Sequence, residues 1–208
     1  MNMEQMSENS PMYKAGYCMT NNDIFKVLGK ELQFLRYNEL NRFNLGKIRA
    51  NGTLILFEGP EGNHWVCLIK NKKGGKKRLE YFNSYGVIPD DEKKDLPLNF
   101  LERSKQSDNL LSRILYEADK KGYEIHYNEK PLQKMIENNN TCGRHCAIRM
   151  LISQIPLEEY QTFMTKYGNL NPDDKVLSLT NMILENKISP TKLKKLLFKI
   201  IKNKVKKE

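Results

Sequence analysis

The sequence predicts an α+β fold in which a small sheet is flanked by helices. Three short apolar stretches with the length of strands lie between residues 53 and 82. Four helical patterns follow residue 141, and three of them begin with a proline, which suits the first turn of a helix. The helix that begins at Cys142 should lie at the centre of the fold, because apolar residues surround its axis.

The strand patterns favour an antiparallel meander. The first two are joined by a loop rich in glycine and proline, and Gly74-Gly75 between the second and third is a hairpin signal. A later stretch alternates between polar and apolar residues and is a further strand candidate. The predicted strands are residues 53–57, 64–69, 79–82 and 123–127.

The spacing of apolar residues predicts six helices. Asn22 and Asp23 are the expected capping residues of the first helix. Residues 89–97 are polar and acidic, so they are predicted to form a loop. The predicted helices are residues 22–35, 108–121, 142–153, 156–166, 172–185 and 190–204.

The basic character of the chain is concentrated at its C-terminal end. The 208 residues carry a formal net charge of +10, and residues 190–208 contain eight lysines and one glutamate. Such a segment is typical of proteins that contact nucleic acid, an anionic membrane or an acidic partner. Its apolar residues at helical spacing also fit a helix that packs on the domain with a solvated basic face. We predict a flexible arm over residues 1–20, one domain over 21–188 and a basic amphipathic helix or tail over 189–208.

Four cysteines, Cys18, Cys67, Cys142 and Cys146, do not form the pattern of a disulfide framework. Their placement fits a reducing compartment. The sequence has no apolar stretch of about 18 residues that would predict a membrane span. Its first eleven residues are polar and lack the apolar part of a secretion signal, so secretion is not expected.

Cys142 has the sequence context of a reactive cysteine. It precedes the apolar run of residues 147–152, so its thiol lies on the first helical turn, where the helix dipole favours a thiolate. A thiolate is the nucleophile of cysteine hydrolases. His64 opens one predicted strand and Asn83 ends the next, so antiparallel pairing would bring them together, with the Asn83 amide oxygen orienting the imidazole. The backbone N–H of Cys142 and the side chain of Gln133 are candidate oxyanion donors.

These motifs resemble, in their order along the chain, the adenovirus-type and SUMO-protease-type cysteine peptidases, and above all the capsid-maturation proteases of virophages and large DNA viruses. The resemblance covers about residues 53–153 and implies an α+β fold with a mixed, largely antiparallel sheet packed on the cysteine helix. Many members have Asp or Glu where this chain has Asn83. The gap from Gln133 to Cys142 is also a few residues longer than in SUMO proteases, which leaves the neighbouring asparagines as alternative oxyanion donors. The motifs are His64-Trp65, Tyr81-Phe82-Asn83-Ser84-Tyr85-Gly86, Gln133 and Thr141-Cys142-Gly143, and the alternative donors are Asn138, Asn139 and Asn140.

The resemblance implies a viral cysteine endopeptidase that cleaves capsid or core precursor proteins during virion maturation, after small residues such as Gly-X. By position, Cys142 would be the nucleophile, His64 the general base, Asn83 the orienting residue and Gln133 the oxyanion donor. No cofactor or metal is expected. The expected partners are the precursor protein and nucleic acid, the latter through the basic C-terminal segment. We expect a monomer in the virion and the host cytoplasm, at the viral factory.

Two other functions fit the same residues. One is an isopeptidase that removes ubiquitin-like proteins, and the other is an inactive protease fold with a structural or nucleic-acid-binding role. A metal site at Cys142, His145 and Cys146 is disfavoured, because no second ligand pair lies at zinc spacing. His126 is a rival base, but the alternation around it is typical of an ordinary strand residue.

Overall fold

The computed structural model describes residues 16–29, 32–49 and 52–205. The chain divides into two compact units. The sheet unit is Leu32–Pro131, and the helical unit comprises the segments before and after it. The mixed α+β fold class predicted from the sequence is confirmed.

The sheet unit is built on one five-stranded sheet in the order β1-β2-β3-β4-β5. The two long ladders, β2 with β3 and β3 with β4, are antiparallel, which confirms the predicted meander. The short edge strands β1 and β5 pair in parallel with their neighbours. The strands are Gln33–Arg36 (β1), Thr53–Gly59 (β2), Gly62–Lys73 (β3), Lys76–Phe82 (β4) and Glu124–Tyr127 (β5), and the sheet unit also contains the helices Leu98–Ser104 (α2) and Leu110–Lys120 (α3).

One face of the sheet forms the core of this unit. Alternation along the strands directs every second residue to the same face, where the sheet meets apolar residues of α3 and of the 3₁₀ turn Tyr37–Arg42. On that face Ile55 lies opposite Val66, and Leu68 lies opposite Tyr81. Residues that continue these alternating rows beyond the strand ends therefore remain on the core face.

The helical unit contains α1 and the four helices after residue 141. Every residue of α4 is buried, and α4 packs against α1 and α6. The last helix packs against α5 and buries Leu193, Leu197 and Ile201. Within the described ranges, no helix is long and apolar enough to cross a membrane. The helices are Asn21–Leu28 (α1), Cys142–Leu151 (α4), Leu157–Lys166 (α5), Pro172–Leu184 (α6) and Pro190–Val205 (α7).

The prediction of one helix over residues 22–35 is wrong. Helix α1 ends at Leu28, because Gly29 adopts the left-handed conformation (φ 66°) that terminates helices. The end of the predicted helix is instead the edge strand β1. The N-cap is Thr20, whose hydroxyl accepts from the Asp23 N–H, so the predicted capping residues lie inside the helix.

The structure also differs from the prediction near residues 89–104, and it describes only part of the predicted N-terminal arm. The predicted loop at residues 89–97 contains a 3₁₀ turn over Asp91–Lys93, and α2 was not predicted. Most of the predicted N-terminal arm, residues 1–15, lies outside the described residues. The predicted division at residues 20 and 188 stays a prediction.

Candidate active site

The structure brings together His64 and Asn83, two of the four residues predicted to form the site. His64 lies on β3 two residues before Val66, and Asn83 follows β4 two residues after Tyr81, so both continue the core-face rows. Because Cys67 pairs with Phe82, the same register places Asn83 one diagonal step from His64. His64 Nε2 lies 2.9 Å from Asn83 Oδ1.

The orientation of the Asn83 amide is determined by a backbone donor. Its Oδ1 atom also accepts from the Tyr85 N–H at 3.0 Å, and a backbone N–H can only donate. The atom that faces His64 is therefore the oxygen, and Nε2 of the neutral imidazole carries the proton. Nδ1 is then the basic nitrogen. The Tyr85 ring stacks on the imidazole with centroids 4.5 Å apart, which holds the ring plane.

Asn83 is also held through its main chain. Asn128, just after β5, accepts from the Asn83 N–H at 3.0 Å and donates to the Asn83 carbonyl oxygen at 2.5 Å. That carbonyl also accepts from the Gly86 N–H at 2.9 Å, closing a turn. Gly86 has φ +70°, and a Cβ atom there would lie 2.7 Å from Lys130 C and Pro131 N. The turn therefore requires glycine for both its conformation and its close approach to the backbone.

We expect Gly86→Ala to lower the free energy of unfolding by roughly 3 kcal/mol, from left-handed strain of about 1 kcal/mol and a backbone clash. Urea denaturation measures this loss. Gly122→Ala is the matched control, because Gly122 has φ +76° and open space around its missing Cβ. Equal losses in the two variants would show that the clash with residues 130 and 131 does not contribute.

A buried carboxyl group lies behind Asn83. Glu92 Oε1 accepts from the Tyr81 hydroxyl at 2.5 Å and from Asn83 Nδ2. Burial and the neighbouring Glu92 raise the pKa of Tyr81 well above its ordinary value, so the hydroxyl remains a donor. Glu92 Oε2 is buried and has no hydrogen-bond partner among the residues that the structure describes. Neither Glu92 nor Tyr81 was predicted to belong to the site.

The turn that carries Glu92 is anchored on both sides of it. Asp90 accepts from the Ser112 N–H at 2.8 Å and from the Leu111 N–H at 3.3 Å, at the N-terminus of α3. Lys93 donates to the Tyr37 hydroxyl at 3.0 Å and to main-chain and side-chain oxygens of residues 108 and 109. These contacts of Asp90 and Lys93 hold the turn in place. The position of Glu92 beside Asn83 is therefore fixed by its neighbours on the turn as well as by its own hydrogen bonds.

Glu92 should make stability fall as the pH rises. Burial raises the pKa of Glu92 from 4.5 to about 7, against hydrogen bonds from Tyr81 and Asn83 that lower it. Between pH 4.5 and about pH 7 the native state binds more protons than the unfolded state. The free energy of unfolding therefore decreases as the pH rises through this range, by at most about 3 kcal/mol. Glu92→Gln should lack this decrease, which urea melts from pH 4 to pH 8 will show. Parallel plots of the free energy of unfolding against pH for the wild type and Glu92→Gln would show that Glu92 is not the titrating group. Asp91→Asn, on the same turn, is the control.

The other two predicted site residues belong to the helical unit. Cys142 is the first residue of α4 and is 3% exposed. Gln133 is 2% exposed, and its Nε2 donates to the Asn139 carbonyl oxygen at 2.7 Å.

Two of the three neighbouring asparagines, Asn139 and Asn140, donate to other acceptors. Both protons of Asn139 Nδ2 have acceptors, Lys134 O at 2.8 Å and Asp173 Oδ2 at 3.1 Å. Asn140 is exposed and donates to the Gly16 carbonyl at 3.0 Å. Asn138 is exposed and has φ +61°, in the left-handed region. Both side-chain N–H groups of Asn139 therefore have acceptors within the helical unit, which disfavours Asn139 as an oxyanion donor.

Asp173, in the first turn of α6, organises the segment between Gln133 and Cys142. Its Oδ1 accepts from the Thr141 hydroxyl at 2.5 Å and from His145 Nε2 at 3.0 Å, and its Oδ2 accepts from the Lys134 N–H at 3.0 Å. Burial would raise the pKa of Asp173, but the bonds from His145, Thr141 and Lys134 lower it below its ordinary value. His145 is fully buried, which lowers its pKa and keeps its ring neutral.

The structure adds two observations on the alternatives. His126 lies on β5, and its Nε2 atom is 3.8 Å from Glu124 Oε2. Of the side chains in the described part of the chain, no group of three or more His, Cys, Asp or Glu is arranged to hold a metal ion.

Comparison with known proteins places the chain in a family. No family model matches it. Over 177 residues it is 31% identical to the Sputnik virophage protein named "Uncharacterized protein V9", an alignment that covers 81% of this chain and 97% of V9. The chain belongs to the V9 family. Because the alignment spans almost all of V9, we expect V9 to share both units of this fold.

Two solved structures are similar to this V9-family chain at low sequence identity. The first, described as "Crystal Structure of ASFV pS273R protease", has a TM-score of 0.47 at 14% identity, covering 86% of this chain and 72% of that one. The second is the Se-Met form of the same protease, with a TM-score of 0.42 at 16% identity, covering 82% of this chain and 69% of that one.

Proposed function

We propose that this V9-family chain is a viral cysteine endopeptidase. Cys142 is the nucleophile, His64 the general base, Asn83 the residue that orients His64, and Gln133 an oxyanion donor. The observation that carries the proposal is the His64–Asn83 pair, in which a neighbouring backbone N–H determines the amide orientation and hence the tautomer. A histidine held in this way presents Nδ1 as a base, which is the nitrogen a thiol needs as its proton acceptor.

The reaction follows the ordinary steps of thiol catalysis. His64 Nδ1 accepts the proton of the Cys142 thiol, and the thiolate attacks the carbonyl carbon of a peptide bond. The resulting oxyanion accepts hydrogen bonds from the Cys142 backbone N–H and from the side-chain amide of Gln133. The imidazolium gives its proton to the leaving amine, which leaves a thioester on Cys142. Water, activated by His64, then hydrolyses the thioester.

The setting and substrate of the enzyme are part of the proposal, which is supported by the organism of its relative and by its sequence motifs. The organism of V9 supports a viral origin. We propose capsid or core precursor proteins as substrates, cut after small residues such as Gly-X during virion maturation, in the virion and the host cytoplasm. A viral particle assembled from precursors needs such cuts at defined positions, which an endopeptidase supplies.

The test is a cleavage assay with a library of unfolded peptides, in which mass spectrometry identifies new amino termini. The wild type should produce a single family of cuts after small residues, and Cys142→Ala should produce none. Identical cuts from both proteins, or no cuts by the wild type between pH 6 and pH 9, would refute the proposal. Reaction with a ubiquitin or SUMO electrophilic probe, without cleavage of peptides, would favour the isopeptidase instead.

We further propose nucleic acid as a partner of α7. Its buried apolar residues leave Lys192, Lys195, Lys199 and Lys202 exposed. Removing the helix would disturb the core that Leu193 and Leu197 help to form, so charge reversal is the better test. Changing the four lysines to glutamate should abolish salt-dependent binding to duplex DNA. Reversal of Lys47, Lys76, Lys77 and Lys105, which are exposed in the sheet unit, is the control, and equal losses in both variants would exclude a specific role for α7.

A further inference from the structure

We propose that Glu92 is a positioning residue that supplies, through the Asn83 amide, the negative charge that stabilises protonated His64. The inference rests on the proposed function and deepens it, because it explains how an enzyme with asparagine at this position supports an imidazolium. A neutral amide stabilises that cation less than a carboxylate does. In this chain a carboxyl group lies one hydrogen bond further away, and it carries its negative charge near and above pH 7.

The contacts form a continuous path from the carboxyl group to the imidazole. Glu92 Oε1 accepts from Asn83 Nδ2, and Asn83 Oδ1 accepts from His64 Nε2 at 2.9 Å. The second proton of Asn83 Nδ2 is donated to the Tyr81 hydroxyl oxygen at 3.2 Å. Hydrogen bonds in such a chain polarise one another, so an ionised Glu92 makes the Asn83 oxygen a stronger acceptor.

The surrounding groups leave Glu92 as the carboxylate that acts on Asn83. Tyr81, on β4, faces Glu92 as a hydroxyl donor. On the same turn, Asp90 accepts hydrogen bonds from N–H groups at the start of α3. Lys93 donates to the Tyr37 hydroxyl and to oxygens of residues 108 and 109. Lys93 also lies close enough to interact electrostatically with Glu92. Among the described residues, Glu92 is the carboxylate that accepts a hydrogen bond from the Asn83 side chain.

A structural role alone would make a different prediction from a charge role. If Glu92 only holds Asn83 in place, an uncharged side chain of the same shape should replace it, because the amide oxygen of a glutamine there can still accept from Asn83 and from the Tyr81 hydroxyl. If the charge matters, Glu92→Gln should be impaired, and moving the carboxylate to position 83 should restore function. The double variant Asn83→Asp/Glu92→Gln makes this exchange, since an amide at position 92 can donate to a carboxylate at position 83.

The first measurement needs no substrate. The chain contains three histidines, so NMR can follow the titration of the His64 ring in the full-length protein. Glu92→Gln should move the midpoint of that titration down by about 0.5 to 1 pH unit, and the double variant should return it to the wild-type value or above. Asp91→Asn, which removes a charge from the same turn without contact to Asn83, should leave it unchanged.

The second measurement is peptide cleavage by the same proteins. Glu92→Gln should lower kcat about tenfold with KM unchanged, the double variant should recover most of that loss, and Asp91→Asn should match the wild type. An unchanged His64 midpoint and unchanged kcat in Glu92→Gln would overturn the inference. So would equal defects in the single and double variants, which would indicate a structural role. Absence of Cys142-dependent cleavage by the wild type would instead refute the proposed function, and the NMR titration would still decide whether Glu92 acts on His64.

Discussion

Replacing Cys142 by alanine is expected to lower the rate of peptide cleavage by at least about 10⁴-fold, because no other group can take the place of the thiolate as nucleophile. The variant should keep its fold. Cys142 occupies the first turn of α4, where alanine is a good helix residue, and the change removes only one sulfur atom from a site at the end of the helix. Steady-state cleavage of the best peptide, together with a urea melt, measures both effects.

Cys146 provides the matched control for this variant. It lies one helical turn further along α4 and is fully buried, so Cys146→Ala makes the same chemical change within the same helix. We expect that variant to lose about 1 kcal/mol of stability through the small cavity while keeping its activity. Equal loss of activity in the two variants would mean that a disturbed α4, and not a missing nucleophile, explains the effect.

Replacing Asp173 by alanine is expected to lower the free energy of unfolding by about 4 kcal/mol. The change leaves buried donors on Thr141, His145 and Asn139 without their acceptor, and each such loss costs about 1–3 kcal/mol, partly recovered by rearrangement. The segment that carries Gln133 should then move, so cleavage should decrease in the fraction of protein that remains folded.

The pH dependence of this deficit gives a second check on Asp173. Because the native pKa is lowered, the carboxylate stabilises the fold above the unfolded pKa, near pH 4, and the stabilisation is lost as the pH falls through the native value. The difference between wild type and Asp173→Ala should therefore shrink in acid. Asp174→Ala, at an exposed position on the same helical turn, controls for the helix dipole. An equal loss of stability in Asp173→Ala and Asp174→Ala would contradict the stabilising role given to the hydrogen bonds of Asp173.

The parts of the fold that were predicted are those in which a local pattern decides the structure. The strands at residues 53–57, 64–69 and 79–82 are short apolar stretches separated by turn residues. The Gly74-Gly75 turn sets the register between the last two of these strands, and that register brings His64 to Asn83. The first helix shows the opposite case. Leu32 and Leu35 continue its helical spacing, and only the left-handed Gly29 and the pairing of β1 with β2 reveal that the chain has left the helix.

The supporting residues of the site could not be predicted, because distant contacts determine their roles. Glu92 lies in an acidic segment that has the composition of a solvated loop, and its burial depends on Tyr81 and Asn83 in another part of the unit. Asp173 has a partial signal, since it follows the proline that begins α6, where acids favour a helix start. Nothing in that signal predicts its bonds to residues 134, 141 and 145.

The most direct test of the account is the rate at which iodoacetamide alkylates Cys142 as a function of pH, measured in a Cys18→Ser background because Cys18 is the exposed cysteine among the described residues. If Cys142 and His64 form one ion pair, the reaction of Cys142 should already be fast near pH 6, and His64→Ala should move its midpoint up by at least about one pH unit, towards that of an ordinary thiol. A wild-type profile with a midpoint near 8.5, unchanged by His64→Ala, would contradict the claim that these two residues act together.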